Sequence, residues 1–154
     1  MLRTSYAHLN TIQKGCFAEA YSKMAFTLEG FEVYDSEYDD RGIDFVCRSP
    51  GGVFYSVQVK ATDTTSNQTN PFIFESKFQK TSDFLMCAVR LAEGFRPSIY
   101  LARGSDWGGT SECLGFNANG GNSGAYYEMR FAKRYADSIE LHTFADYIHR
   151  LRAV

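Results

Sequence analysis

No apolar run in the chain approaches the roughly 20 residues that a membrane span needs. Its opening stretch, Met1-Leu2-Arg3-Thr4-Ser5-Tyr6, has no signal-peptide core. Both absences make a cytoplasmic protein without membrane contact the expectation. Paired cysteines are missing too: Cys16, Cys47, Cys87 and Cys113 stand far apart, unlike the clustered ligands of a zinc site or a redox motif. They read as reduced, small core residues. Nor is there an excess of positive charge, since 16 Lys and Arg face 18 Asp and Glu for a formal net charge of -2. Bulk attraction to nucleic acid is therefore excluded, and any phosphate contact has to come from local clustering. Internal repeats and interdomain linkers are also lacking, so residues 1–154 are expected to form a single domain.

What is present is a globular composition. A hydrophobic content of 44% with 16% aromatics argues against disorder, and 154 residues suffice to enclose a core. Asn10, with Gln13 three residues on, has the pattern of a capping box, and Gly30 is a natural stop. A helix is predicted over Thr11 to Glu29. Ile12, Cys16, Ala20, Met24 and Leu28 recur every four residues and define the predicted core stripe, widened by Phe17 and Tyr21. Glu19 falls at the edge of that stripe, with Gly15 one turn earlier leaving room above it and Lys23 four residues on as an ion-pair partner.

The most informative stretch follows. Gly42-Ile43-Asp44-Phe45-Val46-Cys47-Arg48, the break Ser49-Pro50-Gly51-Gly52, and Val53-Phe54-Tyr55-Ser56-Val57-Gln58-Val59-Lys60 read as a β-hairpin. The second strand alternates strictly, so Ser56, Gln58 and Lys60 share the face opposite Val57 and Val59. A three-residue loop over Pro50-Gly51-Gly52, with a glycine in the left-handed region, pairs Ser49 with Val53 and sets Asp44 opposite Gln58. A loop one residue shorter or longer turns Asp44 to the other face. The three-residue loop is favoured because it keeps Ile43, Phe45 and Cys47 on the side of the valines.

Elsewhere, a strand is predicted from Phe31 to Tyr38, ending in the acidic turn Asp39-Asp40-Arg41-Gly42. Ala61 to Pro71 is polar and aperiodic, the pattern of a surface loop. Phe72, Phe74 and Phe78 start an aromatic patch. Asp83 to Arg90 reads as a buried strand forming a second hairpin with Ser98 to Leu101. Gly104 to Gly124 is glycine-rich, with Trp107 and Phe116 as candidate anchors. Tyr126 to Phe131 reads as a strand beside the basic cluster Arg130, Lys133 and Arg134, which reads better as a solvated edge than as a phosphate contact. Thr143 and Asp146 open a final helix with Phe144, Tyr147, Ile148 and Leu151 on one face.

Carboxylate and amide oxygens brought together are the ligands Mg²⁺ prefers, and a nearby amine can orient a water and offset charge on a phosphate. Glu19 on the first helix, then Asp44, then Gln58-Val59-Lys60 resembles the PD-(D/E)XK nuclease superfamily in the variant where Gln replaces an acid. The wording Gly42-Ile43-Asp44 followed by Val57-Gln58-Val59-Lys60 is similar to archaeal Holliday-junction resolvases and to some homing and restriction-type endonucleases.

The resemblance implies an α/β (α+β) fold with a restriction-endonuclease-like core: an N-terminal helix on a mixed central β-sheet, with a C-terminal helix. It implies a Mg²⁺-dependent phosphodiester hydrolase, with Mn²⁺ able to substitute, acting on duplex or branched DNA, and a homodimer. Asp44, Gln58, Glu19 and the Val59 carbonyl are then the metal ligands, and Lys60 acts on the attacking water. Two features depart from the pattern: Gln58 removes one negative charge from the metal site, and Ile43 stands where the superfamily has proline. The acidic balance and the neutral Gln58 also support an alternative, a non-catalytic module of this fold acting through a protein or nucleic-acid partner.

Overall fold

The computed structural model describes residues 2–37, 41–64, 70–119 and 121–152. Helix α1 (Thr11–Leu28) begins at the predicted capping box. The Asn10 side chain accepts from the Gln13 amide at 2.8 Å, and the Gln13 side chain accepts from the Asn10 amide at 2.9 Å. Two start-of-helix donors are thus satisfied reciprocally.

Strands β1 (Glu32–Asp35), β2 (Phe45–Arg48), β3 (Phe54–Asp63), β5 (Phe84–Leu91) and β6 (Ser98–Arg103) form a five-stranded sheet in the order β1-β2-β3-β5-β6. All neighbours are antiparallel except β3 and β5, which run parallel. A second, three-stranded sheet packs β8 (Tyr126–Met129) between β4 (Phe72–Phe74) and β7 (Leu114–Asn117). Two helices close the chain, α2 (Ala136–Glu140) and α3 (Phe144–Arg152). This is a mixed α+β fold with an N-terminal helix on a mixed central sheet and helices at the C-terminal end, as expected. No helix among the described residues is long and apolar enough to cross a membrane.

β5 is buried along nearly its whole length and divides two cores. Leu85, Cys87 and Val89 face a cluster closed by α1 and α3, with Phe26, Phe45, Val57, Tyr147 and Leu151. Phe84, Met86 and Ala88 face a cluster closed by the small sheet, with Ile73, Trp107, Tyr127 and Met129. Residues alternate between the faces because the strand period is two.

Several expectations are corrected. The buried residues of α1 are Ala18, Ser22 and Phe26, whereas Ile12 and Leu28 are 77% and 85% exposed and Cys16 and Ala20 are exposed as well. The helix is apolar around much of its circumference, so the four-residue repeat did not identify the side that meets the sheet. Cys16 is consequently no core residue, while Cys47, Cys87 and Cys113 are. The segment read as a loop from Ala61 is still strand as far as Asp63, held by parallel pairing to β5. Residues 65–69 of that expected loop, and Tyr38, Asp39 and Asp40 of the first strand and its turn, lie outside the described residues. The glycine-rich stretch contains β7 and a 3₁₀ turn over Gly104–Asp106. Trp107 anchors it at 4% exposure, but Phe116 is 46% exposed.

Candidate functional site

The hairpin turn is the one predicted. The Ser49 amide donates to the Val53 carbonyl at 2.8 Å, the Gly52 amide donates to the Ser49 carbonyl at 2.9 Å, and Gly52 has φ 95°. Left-handed glycine is the usual closing residue of a three-residue loop. From this turn the pairing runs through Arg48↔Phe54, Cys47↔Tyr55 and Val46↔Ser56 to Phe45↔Val57.

At Asp44, expected opposite Gln58, the ladder breaks. The Asp44 amide donates to the Val57 carbonyl at 2.9 Å, although Val57 already faces Phe45. Two residues of one strand thus oppose one of the other, which is a β-bulge, a device that re-aims side chains and ends pairing. Both effects are visible. The extra residue breaks the in-and-out alternation, so Ile43 packs against the small-sheet cluster and not with the valines as expected. The Asp44 carboxylate reaches past Gln58 to accept the Val59 amide at 2.6 Å.

Beyond the bulge β2 no longer covers β3. Val57 and Val59 turn their backbone groups toward β2, as their bonds with Asp44 demonstrate. By the two-residue period, the Val59 carbonyl and the Ala61 backbone face the same open edge.

Gln58 is 5% exposed, and its Oε1 has no hydrogen-bond partner among the described residues. It lies against Gly42, where an added Cβ would come within 3.3 Å of both polar atoms of the amide. Gly42 also has φ 73°, so the turn leading into Asp44 needs glycine on two counts. Lys60 follows on the Gln58 face of β3, half-buried. The structure therefore gathers Asp44, Val59 and Gln58 around one turn, with Lys60 next along the strand.

Glu19 is held on α1. It pairs with Lys23 at 2.9 Å, and Lys23 also reaches Asp35 at 2.7 Å. Burial lowers the Lys23 pKa, but the bonds to Asp35 and Glu19 outweigh it and the net shift is upward. Lys23 also stands 5.9 Å over the Phe45 ring, which brings the Glu19–Lys23 pair beside the residue that follows Asp44. On the same side, burial pushes the Cys87 thiol up to about 12 against the opposing bond to the Ser22 hydroxyl, with the Asp44 charge adding a smaller push upward. Cys87 is therefore an inert neutral thiol. Among the described residues, no three His, Cys, Asp or Glu side chains are gathered to hold a metal ion.

The open edge of β3 is the floor of a cleft of about 650 Å³. Val59 to Asp63 line its base, Thr11, Lys14 and Gly15 of α1 one wall, and Pro71, Phe72 and Phe74 the other. Lys14 bridges to Asp63 at 2.5 Å across it. A Cβ on Gly15 would meet nothing within 4 Å. Sequence reasoning anticipated the room above Gly15 but missed Lys14, Phe72 and Phe74 as site residues, because they lie about 30 positions from Asp44 on other elements and signal nothing locally. In the basic cluster, Arg130 bonds Glu128 at 2.9 Å and Arg134 lies 4.9 Å over the Tyr135 ring, while Lys133 and Arg134 are exposed.

No family model matches the chain, and no curated protein matches it. Among solved structures, its fold is similar to that of a bacterial homing endonuclease, I-Ssp6803I, with a TM-score of 0.57 at 18% identity over 94% of this chain and 92% of that one. At that identity the likeness is one of fold.

Proposed function

We propose that the chain is a DNA endonuclease that hydrolyses phosphodiester bonds with Mg²⁺ or Mn²⁺, built on a PD-(D/E)XK site in which Gln58 takes the place of an acid. The observation that carries this reading is the bulge, which joins the Asp44 carboxylate to Val59 beside the buried Gln58 amide. The fold-wide likeness to a homing endonuclease supports the same reaction class.

The donor chemistry fits a hard cation. Asp44 offers carboxylate oxygen, Val59 a carbonyl at an open strand edge, and Gln58 an orphaned buried oxygen; all are the oxygen ligands that Mg²⁺ takes. Glu19 would be the further carboxylate for the ion, once released from Lys23. When bound, the ion supplies a polarised water and positive charge toward the phosphate. Asp44, tied at one end to the Val59 amide, is fixed in orientation. Lys60 projects from the same strand, where its amine holds the attacking water and offsets the charge that develops on the phosphate oxygens.

The test is cleavage of linear, supercoiled and branched DNA by the purified protein with Mg²⁺ or Mn²⁺. Asp44→Ala and Lys60→Ala are each expected to lower the rate by about 10² or more, the scale of losing one transition-state partner. DNA left intact by the wild type under all these conditions overturns the reading. Recovery of a protein partner whose binding survives Asp44→Ala then favours the non-catalytic module.

A further inference from the structure

Phe72, Phe74 and Tyr126 belong to neither core cluster. In β4, Ile73 turns into the small-sheet core at 1% exposure, so Phe72 and Phe74 point outward. Tyr126 stands opposite Phe74 in the ladder and shares that outer face. The rings make one strip, with centroids 5.3 Å apart for Phe72 and Phe74 and 5.0 Å apart for Phe72 and Tyr126. The small sheet does not need these rings for its core, yet two of them wall the cleft whose floor carries Lys60 and the Val59 edge.

We propose that Phe72 and Phe74 form a stacking site for an unpaired DNA base, adjacent to the phosphodiester site. This proposal rests on the endonuclease reading and names its substrate class: DNA with unpaired nucleotides next to the scissile phosphate. The cleft's 650 Å³ falls in the size range of pockets that enclose a single small ligand. Its two sides match the two halves of a nucleotide, with aromatic rings on one wall and Lys60 at the base for a phosphate. Every base has a π-face, so such a wall binds without reading sequence. In a duplex those faces are already stacked on neighbouring pairs, and only a flap, bulge or junction frees one. Lys14 is tied to Asp63, so the opposite wall contributes shape more than charge.

The experiment measures binding by wild type in EDTA to two DNA probes of equal length carrying 2-aminopurine, one fully paired and one with the fluorophore unpaired in a bulge. The unpaired probe is expected to bind about tenfold tighter or better, with fluorescence quenched by stacking. Phe72→Leu and Phe74→Leu together keep apolar volume but remove the π-faces; they are expected to abolish both the preference and the quench while the thermal midpoint stays near wild type. Phe74→Trp is expected to retain both. Equal binding of the two probes by wild type, or a preference that survives the double Leu variant, overturns the stacking site alone. Failure to bind either probe, together with failure to cleave any DNA in metal, overturns the endonuclease reading as well.

Discussion

A neutral amide at position 58 sets the electrostatics of the proposed metal site. Gln58 lies buried with an unpartnered Oε1 against Gly42, two residues before Asp44, and a charge there without a counterion carries a desolvation cost. Gln58→Glu is therefore expected to destabilise the metal-free protein by roughly 1–3 kcal/mol and to raise Mn²⁺ affinity, because the ion then meets an extra negative charge. Thermal midpoints with and without Mn²⁺ test this: the variant starts lower and gains more than wild type on metal addition, and equal gains count against Gln58 as a ligand. His142 provides a second residue-scale test. Its Nδ1 lies 2.9 Å from the Leu101 carbonyl, which only accepts, so Nδ1 carries the proton and Nε2 accepts from Ser111 Oγ at 3.1 Å. Burial pulls its pKa below the ordinary value, only partly opposed by the Leu101 bond and the Asp106 charge. A histidine with a depressed folded pKa contributes stability that is present above its unfolded pKa of about 6.5 and lost as pH falls through the folded value. Urea midpoints are expected to fall on acidification below about pH 6.5, with a slope of up to about 1.4 kcal/mol per pH unit from this group. His142→Asn is expected to remove that component of the slope.

At the scale of elements, the orientation of α1 is the sharpest difference between pattern and packing. Phe26 is fully buried and makes edge-on contacts with the Phe31, Phe45 and Phe144 rings, so Phe26→Ala is expected to cost about 3–5 kcal/mol. Ile12→Gln, at a position that the four-residue repeat assigns to the core, is expected to stay within about 0.5 kcal/mol of wild type. Denaturant unfolding of the two variants decides between the faces. Gly15 separates stability from access: Gly15→Ala is expected to stabilise the helix by about 0.8–1 kcal/mol, since a Cβ there meets nothing, while Gly15→Trp is expected to fill the cleft and slow cleavage without unfolding the protein. The hairpin was legible because its information is local: strict alternation fixes the faces and the Pro50-Gly51-Gly52 turn fixes the register. The bulge at Asp44 was not, because an extra residue leaves the composition of a strand unchanged and shows only in which carbonyl its amide finds. The small sheet was hidden for another reason. β4, β7 and β8 are three or four residues each, and β4 pairs with a strand more than 50 positions away, beyond the reach of any local periodicity. Helix α1 failed in a third way, since with apolar residues on most sides only tertiary contact selects the buried one.

For the molecule as a whole, the central question is whether its two cores unfold together. Leu85, Cys87 and Val89 belong to one, Phe84, Met86 and Ala88 to the other, and all six are consecutive residues of β5. Neither cluster can lose its wall of β5 without exposing the other, which predicts one cooperative unit despite two sheets. The chain carries its own reporters for this. Its one tryptophan, Trp107, is buried in the small-sheet cluster with its indole N–H donated to the Gly115 carbonyl at 3.2 Å, so its fluorescence follows that side. Far-UV circular dichroism is dominated by α1, the longest helix, which packs on the other side. The two signals are expected to give coincident urea transitions, and Phe26→Ala, which acts only on the α1 side, is expected to shift the tryptophan transition as far as the dichroism one. Separate midpoints, or a tryptophan transition unmoved by Phe26→Ala, would mean that β5 bends between two independently stable halves. The cleft would then lie at a joint between them, because its floor is β3 while one wall belongs to α1 and the other to the small sheet.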